Sequence, residues 1–372
     1  MIPILDLKRQ YNQHKEALDE AVLAVMESGG FILGPTVERF EKDVAQWLDA
    51  NHAIGVATGT DALYLALRAC GVGPGDEVIT TAFTYIATSE SIVRAGARPV
   101  FVDIDPQTYN MDVNKIEAAI TDRTKAILPV HLYGQPVDMD AVMHIAQQRN
   151  LKVIEDCAQA IGAKWHGRAV GTYGDCGCFS FFPTKNLGAF GDGGLVTAND
   201  QVVADKVRNL RVHGQTKKYH HDYEGVNSRL DAMQAAILSV KLPYLADWNQ
   251  RRREIAAGYT KAFSVDPDIL TPVVVDHGEH VFHQYTIQVP NRDAVQTALN
   301  EAGIATMVYY PIPCHLQGMH ADLGYQPGSL PITESVAQRV LSLPIFPELT
   351  HDEQHRVIEQ VHAAVKQQAL PV

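Results

Sequence analysis

Residues 52–70 read HAIGVATGTDALYLALRAC and join two hydrophobic patterns. The first residues, HAIGVA, form a short apolar run, which is typical of a buried strand. From Leu63 onward, apolar side chains recur at the helical spacing i, i+3, i+4 and i+7, at Ala66, Leu67 and Cys70. The short turn TGTD separates the two patterns. We therefore predict a strand that turns directly into a helix.

The same alternation continues along the first two-thirds of the chain. Short apolar runs predict strands at residues 77–80, 99–103, 125–130 and 152–156, and helical patterns lie near residues 89–94 and 141–148. Strands that alternate with helices form a mostly parallel sheet that is covered on both faces. We therefore predict an α/β fold, with ligands bound beyond the carboxyl ends of the strands.

The alternation weakens after Asp231. A long helical stretch from Ala232 to about Phe263 is followed by one strand at residues 284–289 and one helix near residues 294–302. This pattern indicates a smaller α+β unit behind the parallel sheet. We predict a large domain over residues 1–245 and a small C-terminal domain over residues 246–372.

Composition and charge exclude several classes of protein. The 372 residues are 46% hydrophobic, which is globular, and the 31 basic against 43 acidic residues give a net charge of −12. This acidity argues against nucleic acid and anionic membranes as partners. The first residues do not resemble a signal peptide, and no apolar run approaches the roughly 20 residues of a membrane span. We expect a cytoplasmic protein.

The cysteines support a reducing compartment. Five of them, an odd and sparse set, do not suggest a disulfide scaffold: Cys70, Cys157, Cys176, Cys178 and Cys314. Cys176 and Cys178 form a C-x-C pair without a second pair. We expect thiols on a buried strand there, and we predict no metal site.

Gly59-Thr60-Asp61 lies where the first predicted helix begins. Glycine lets a backbone approach a ligand closely, and the amides of a helix N-terminus attract anions. The pattern is therefore compatible with a phosphate site at Gly59 and Thr60. A plain helix cap by Thr60 or Asp61 explains the same residues, and on this motif alone the cap is the favoured interpretation.

Two further motifs follow predicted strands. Tyr85, in TYIAT, offers a ring that can stack on a flat ligand, although core packing also explains it. Glu155 and Asp156 close an apolar strand, and a carboxylate there can pair with a protonated ring nitrogen. Because side chains alternate along a strand, only one acid faces the site. We assign Asp156 to the site and Glu155 to helix capping.

Lys185 lies in FSFFPTKNLG, between an aromatic strand and a glycine-rich loop. A lone lysine is ordinarily a solvated surface charge. Apolar surroundings instead lower the pKa of its amine and free it to attack a carbonyl. Ser180, in the same motif, can give a hydroxyl to a phosphate. The order of helix start, aromatic ring, aspartate and lysine fits the phosphate, ring, ring nitrogen and aldehyde of pyridoxal phosphate.

The chain resembles the sugar aminotransferases of the DegT/DnrJ/EryC1/StrS family, which have the type I, aspartate-aminotransferase-like fold. The likeness is carried by GTDAL at residues 59–63, EDCAQ at 155–159 and SFFPTKNLG at 180–188. It implies that Lys185 forms an imine with pyridoxal phosphate, and that Asp156 pairs with the pyridine nitrogen. It also places Gln159 near the ring hydroxyl, Tyr85 over the ring, and three residues on the phosphate: Gly59, Thr60 and Ser180.

The resemblance also implies partners. Asn227, in GVNSRLD, would reach the phosphate of a neighbouring subunit, so a homodimer with shared active sites is expected. L-glutamate is the usual amino donor of the family, and a keto-sugar nucleotide is the acceptor. Relatives with histidine in place of the lysine perform deoxygenation, and Lys185 argues against that chemistry.

The sugar is indicated by a basic, aromatic segment at residues 211–221, which includes His213, and by Arg229. Both resemble the subgroup that aminates UDP-2-acetamido-3-keto-glucuronate, so this uronate is the favoured substrate. The subgroup holds the sugar carboxylate with a His-Tyr pair, whereas this chain has Tyr309 and Tyr310. A dTDP-3-keto-6-deoxyhexose is therefore the alternative acceptor. His315 is a further candidate for the substrate pocket, and a packed histidine is its other interpretation.

A non-catalytic regulator on the same fold is the remaining hypothesis, because some relatives were first described as pleiotropic regulators. A regulator would not need both Lys185 and Asp156. The sequence therefore favours an enzyme.

Overall fold

The computed structural model describes residues 1–369. The strands are β1 (His52–Val56), β2 (Glu77–Thr81), β3 (Arg98–Val102), β4 (Thr124–Ile127), β5 (Lys152–Asp156), β6 (Lys164–Trp165), β7 (Arg168–Ala169), β8 (Cys176–Ser180), β9 (Gly194–Ala198), β10 (Gln215–Lys217), β11 (His220–His221), β12 (Gly278–Glu279), β13 (Tyr285–Gln288) and β14 (Val340–Leu343). The helices are α1 (Leu7–Gln13), α2 (Lys15–Ser28), α3 (Pro35–Leu48), α4 (Gly59–Ala69), α5 (Ala87–Arg94), α6 (Ile116–Ala119), α7 (Met139–Arg149), α8 (Gln201–Leu210), α9 (Ala232–Lys241), α10 (Leu245–Phe263), α11 (Arg292–Glu301), α12 (Pro331–Arg339) and α13 (His351–Ala369).

A central seven-stranded sheet has the order β1-β9-β8-β5-β4-β2-β3. Five neighbouring strands, β8 through β3, run parallel, and β9 is antiparallel to both of its neighbours. The reversal follows from the connection, because β8 returns to β9 through a single loop that contains Lys185. The predicted mostly parallel α/β sheet is confirmed.

Side chains alternate across the sheet, and each face has its own helices. Cys176 and Cys178 of β8 lie in the hydrophobic cluster that contains α4. Phe179, the residue after Cys178, lies in the cluster that contains α3 and α9. The C-x-C thiols are thus on a buried strand, as the sequence predicted, and all five cysteines are free.

A second core forms around β13 and β14, which pair antiparallel. Its apolar side chains come from α10, α11 and α13, and Ile2 joins them at the start of the chain. Ile2 also pairs with Ile304 through its backbone. The division at residue 245 coincides with the first residue of α10, and it stays a prediction.

The long helical stretch predicted from Ala232 to Phe263 is interrupted. A short 3-10 turn at Leu242–Tyr244 separates α9 from α10. Pro243 within it has no amide hydrogen for the helical ladder, which accounts for the break. Within residues 1–369, none of the helices is both long and apolar enough to cross a membrane.

Candidate active site

A cavity of about 480 Å³ opens at the carboxyl-end edge of the parallel strands. The ends of β5 and β8 contribute Asp156 and Ser180, and the turn after β1 leads into the start of α4 there. Parallel strands place their carboxyl ends along one edge, which is why motifs far apart in the chain meet. Of the predicted site residues, the cavity is lined by Gly59, Thr60, Tyr85, Asp156, Gln159, Ser180, Lys185, Tyr309 and Tyr310.

The start of α4 forms one end of the cavity. Thr58 is the cap of this helix, since its Oγ1 accepts a 3.0 Å hydrogen bond from the amide of Asp61. The cap is therefore neither Thr60 nor Asp61, the two residues that the alternative interpretation required. A Cβ atom on Gly59 would lie 2.7 Å from Cβ of Ser180. The missing side chain lets Ser180 approach the first amides of the helix, which makes an anion-binding recess.

Asp156 is 5% exposed and is held by two donors. Its Oδ2 accepts a 2.8 Å hydrogen bond from the hydroxyl of Thr88, and its Oδ1 accepts one of 3.1 Å from the amide of Ala158. Burial raises the pKa of Asp156, while these two bonds and the charge of Lys185 oppose the rise. A buried carboxylate of this kind is stabilised when a cation binds beside it.

The neighbouring acid, Glu155, faces away from the cavity. Its carboxylate accepts hydrogen bonds of 2.7–2.8 Å from the backbone amides of Gly171, Tyr173 and Gly174, and it lies 3.1 Å from Nε2 of His131. Glu155 therefore holds the loop before β8 rather than capping the next helix. His131 and Cys157 lie within 4.8 Å of it in a potential metal-binding group, but three amides already occupy the carboxylate oxygens.

Lys185 lies half-buried in the loop between β8 and β9. Burial of its amine lowers the pKa to about 8, and the negative charge of Asp156 works against this decrease. The neutral form of this amine is therefore more accessible than that of an exposed lysine. A neutral amine is the form that attacks an aldehyde and accepts a proton.

Three aromatic or amide side chains cover the rest of the cavity. The ring of Tyr85 is 58% exposed and lies 6.0 Å from that of Tyr310. Gln159 is oriented, because its Oε1 accepts a 2.6 Å hydrogen bond from the amide of Tyr133. Its Nε2 therefore donates, at 3.0 Å, to the hydroxyl of Tyr310. Tyr85 offers an uncovered ring face and Gln159 offers an amide donor at the cavity wall.

The chain also matches a known family. The model of the DegT/DnrJ/EryC1/StrS aminotransferase family matches residues 12–362. The chain belongs to this family. Solved neighbours of the family carry pyridoxal phosphate or pyridoxamine phosphate. The predicted type I fold, the cofactor and the aminotransferase class are thereby confirmed.

The similarity to individual relatives extends over nearly the whole chain. A protein of Geobacillus stearothermophilus described as a pleiotropic regulatory protein is 55% identical, with 97% of each chain covered. A UDP-N-acetyl-3-dehydro-α-D-glucosamine 3-aminotransferase of Acidithiobacillus ferrooxidans is 50% identical, with 96% of each covered. The crystal structure of DesV of S. venezuelae in complex with a ketimine intermediate has a TM-score of 0.96 and 44% identity, and covers 100% of this chain and 99% of that chain.

Other relatives show which sugars the family members use. Three of them, between 44% and 49% identical, are described as transaminases of 3-amino or 3-oxo sugars that are linked to dTDP or UDP. The descriptions therefore agree on carbon 3 and differ in the nucleotide and in the rest of the sugar.

Four of the residues that the sequence predicted to bind cofactor or substrate do not line the cavity. Asn227 and His213 are exposed and Arg229 is partly exposed, and none of the three lines the cavity. His315 is buried elsewhere, with its Nε2 3.1 Å from Oε1 of Glu334. The roles of these residues in binding substrate or a second subunit stay predictions.

Other cavity residues were not singled out by sequence reasoning. Thr88 is the second residue of α5. It ends the motif TYIAT, and this position was the only feature of the sequence that could have indicated a place in the site. His283 and Gln284 come from the segment before β13, in a part of the chain with no recognised motif. No local pattern connects that segment to Lys185, so only the folded chain brings it to the cavity.

Proposed function

We propose that the acceptor is a UDP-linked 2-acetamido-3-keto-hexose without a carboxylate, and that the donor is L-glutamate. The 50% identical relative is described as acting on such a sugar. The observation that carries the choice is the pair Tyr309 and Tyr310 at the cavity wall, because a tyrosine donates a hydrogen bond but has no positive charge near neutral pH. Within residues 1–369, Lys185 is the only lysine or arginine that lines the cavity.

A uronate acceptor, the first expectation from sequence, is the second candidate. One observation favours it: Arg229 is partly exposed next to Asn227, on the segment that we assign to a neighbouring subunit's site. In a dimer, Arg229 would supply the missing cation from the partner. The dTDP-linked deoxyhexoses are aminated at carbon 3, as both candidates would be. They are therefore included as alternative acceptors in the test.

The cavity residues fit pyridoxal phosphate. Thr60, Ser180 and the first amides of α4 would hold its phosphate in the recess that Gly59 leaves open. Asp156 would hold the protonated ring nitrogen, and the buried carboxylate gains a cation in return. Tyr85 would cover the ring and Gln159 would donate to its hydroxyl. When bound, the cofactor supplies an electron sink for the charge that develops at the substrate's α-carbon.

The chain's own groups have two tasks in the reaction. Asp156 keeps a positive charge beside it, since a carboxylate that is buried and doubly hydrogen-bonded stabilises a neighbouring cation. Lys185 would hold the cofactor through its amine in the resting enzyme, and this amine would be free once a substrate amine takes its place. Its neutral amine then takes the proton from the α-carbon of glutamate and later returns one. The acceptor sugar follows the reverse order, which predicts ping-pong kinetics.

We propose a homodimer with shared active sites. Leu23 and Met26 of α2 are more than half exposed, and Phe31 and Ile32 follow them as further exposed apolar side chains. The amide of Ala232 donates to the carbonyl of Phe31, so this patch adjoins the Asn227 segment. Several large apolar side chains exposed within one short stretch of chain are typical of an interface.

Complementation tests the dimer. Lys185→Ala and Asn227→Ala subunits are each expected to be nearly inactive. Hybrid dimers contain one intact site, so a mixture of coexpressed subunits should recover about a quarter of wild-type activity. Mixtures that stay as inactive as the separate variants would show that Asn227 acts within its own subunit.

The acceptor is tested by incubating the pyridoxamine phosphate form with keto-sugar nucleotides. We expect the yellow absorbance of the lysine-bound cofactor to return fastest with the UDP-2-acetamido-3-keto-hexose, and more slowly with the uronate or a dTDP-deoxyhexose. A preference for the uronate would overturn the choice and favour Arg229 as its ligand. If glutamate does not change the spectrum of the purified protein, the result would favour a non-catalytic regulator over an aminotransferase.

The compartment is also a proposal. All five cysteines are buried free thiols. Free thiols are typical of the reducing cytoplasm, which supports a cytoplasmic location.

A further inference from the structure

A chain of hydrogen bonds leads from the backbone at Val281 to the active-site cavity. Nδ2 of Asn186 lies 3.0 Å from the carbonyl oxygen of Val281, which can only accept. This contact orients the amide, so Oδ1 of Asn186 is the atom that lies 3.2 Å from Nδ1 of His283. Because Oδ1 accepts, Nδ1 of His283 must carry the proton.

The second ring nitrogen of His283 is therefore an acceptor. A neutral imidazole with its proton on Nδ1 has a lone pair on Nε2. Burial and the positive charges of Lys185 and Arg252 lower the pKa of His283 well below its ordinary value, so the ring stays neutral. His283 is 6% exposed and lines the cavity. In the described part of the chain, no group is hydrogen-bonded to Nε2.

The amine of Lys185 is the donor that the chain itself offers. Lys185 lines the same cavity, and it directly precedes Asn186, which orients His283. Asn186 thus connects the two residues, because it follows Lys185 in the chain and its side chain orients the ring of His283. A second contact of Asn186, at 2.8 Å to Oδ1 of Asn249, fixes this arrangement further.

We propose that His283 is a positioning residue that accepts a hydrogen bond at Nε2 from the released amine of Lys185 and aims that amine at the substrate's α-carbon. The proposal rests on the aminotransferase activity and not on the identity of the sugar. A neutral acceptor suits this task, because it engages one N–H of the amine, adds no charge, and leaves the nitrogen lone pair free to take a proton.

Several titratable groups share the cavity with Lys185, and any pH dependence contains their contributions. Besides His283 they are Asp156, Asp192, Tyr85, Tyr309 and Tyr310. His283 differs from them in its link to Asn186, so variants that keep or lose one ring nitrogen isolate its role.

Two substitutions separate the two ring nitrogens. His283→Asn keeps an amide donor near the position of Nδ1 and leaves nothing at Nε2. His283→Gln reaches the position of Nε2 with a carbonyl oxygen and loses the bond to Asn186. His280→Asn is the matched control. His280 is a buried histidine three residues earlier, it is stacked on Phe282 with ring centroids 3.8 Å apart, and it does not line the cavity.

Two readouts apply to these variants. The first is the rate at which glutamate converts the yellow holoenzyme in a single turnover, with normal and α-deuterated glutamate. The second is independent of turnover: the pH dependence of Lys185 acetylation in the pyridoxamine phosphate form, where this amine is free, measured by mass spectrometry. Both report on the amine rather than on folding.

For His283→Asn we expect the conversion rate to fall about 10- to 100-fold, at or below the lower end of the roughly 10²–10⁴-fold that a proton-transferring group contributes, because His283 only positions the amine. The deuterium isotope effect should rise, the glutamate dissociation constant should stay nearly constant, and Lys185 should be acetylated at lower pH. His283→Gln should recover most of the rate, and His280→Asn should match the wild type in both readouts.

The opposite results overturn the proposal. If His283→Asn behaves like the wild type, the bond to Asn186 is the whole role of His283. If only the dissociation constant rises, the donor to Nε2 is the substrate. If His283→Asn does not fold, His283→Gln alone decides, since it keeps the acceptor: a small isotope effect and near wild-type rate support the proposal, and a large loss contradicts it. A wild type that glutamate does not convert would instead refute the aminotransferase assignment.

Discussion

The hydroxyl of Thr88 donates a 2.8 Å hydrogen bond to Oδ2 of Asp156, and it joins the first turn of α5 to the end of β5. Thr88 in turn lies 2.9 Å from the hydroxyl of Thr84. The carboxylate that is assigned to the cofactor nitrogen is therefore supported from the connection between β2 and β3.

Thr88→Val should shift the pH dependence of the reaction. The Thr88 bond lowers the pKa of Asp156, so its loss raises that pKa, and the carboxylate is lost at a higher pH when the medium is acidified. A hydrogen bond to a charged group contributes roughly 1.5–3 kcal/mol, so kcat/KM on the acid limb should fall about 10-fold or more. The pH–rate profile measures the effect. Thr88→Ser keeps the hydroxyl and should retain the wild-type limb, and an unshifted limb in Thr88→Val would contradict the assigned role.

The two adjacent acids should separate stability from activity. Glu155→Ala leaves three buried amides and His131 without their acceptor, and we expect the free energy of unfolding to fall by roughly 3–5 kcal/mol. Asp156→Asn should change the unfolding free energy by about 1 kcal/mol or less and lower kcat by about 100-fold or more. Urea unfolding and initial rates measure both. The roles would have to be exchanged if Glu155→Ala were stable and inactive.

Gly59→Ala should weaken the binding of pyridoxal phosphate. The new Cβ would lie 2.7 Å from Cβ of Ser180, so Ser180 must move out of the phosphate recess. We expect the dissociation constant of the cofactor, titrated into apoenzyme, to rise about 10-fold, the equivalent of one lost charge-assisted hydrogen bond. Gly73→Ala is the control, since a Cβ there meets no atom within 4 Å. Equal cofactor affinity in both variants would refute the recess.

Lys241 is a second buried lysine, and it should act on stability without a role in the chemistry. Its ammonium donates a 2.8 Å hydrogen bond to the carbonyl of Gly188 and lies over the ring of Phe190, while burial lowers its pKa to about 8. Between this value and the ordinary pKa of about 10.4, the unfolded chain binds more protons than the folded chain. The stability of the wild type relative to Lys241→Met should therefore rise with pH across this interval.

Melting of both proteins between pH 8 and pH 10 measures that difference. Cysteines and tyrosines of the unfolded chain also titrate in this range, but they are present in both proteins and their contributions cancel in the comparison. Lys241→Met should keep the yellow absorbance of the lysine-bound cofactor, whereas Lys185→Ala should lose it. If the stability difference between the wild type and Lys241→Met did not change with pH, folding would not lower the pKa of Lys241.

Much of the site could be predicted because the motifs stand at fixed points of a repeated unit. Gly59 begins the helix after β1, Asp156 ends β5 and Ser180 ends β8. Once apolar runs that alternate with helical patterns imply a parallel sheet, its geometry puts these residues at one edge. The alternation of side chains along β5 also predicted that only one of the acids 155 and 156 faces the site.

What the amino-acid sequence determined by itself is therefore the local part: the strand-to-helix units, the glycine at the helix start, and the lysine in an apolar loop. Tertiary structure alone decided which acid is held by Thr88, how far burial lowers the pKa of Lys185, and that His283 shares its cavity. These properties depend on contacts between segments distant in the chain. Burial and hydrogen-bond direction are set by the surrounding packing, and no local pattern of residue types encodes that packing.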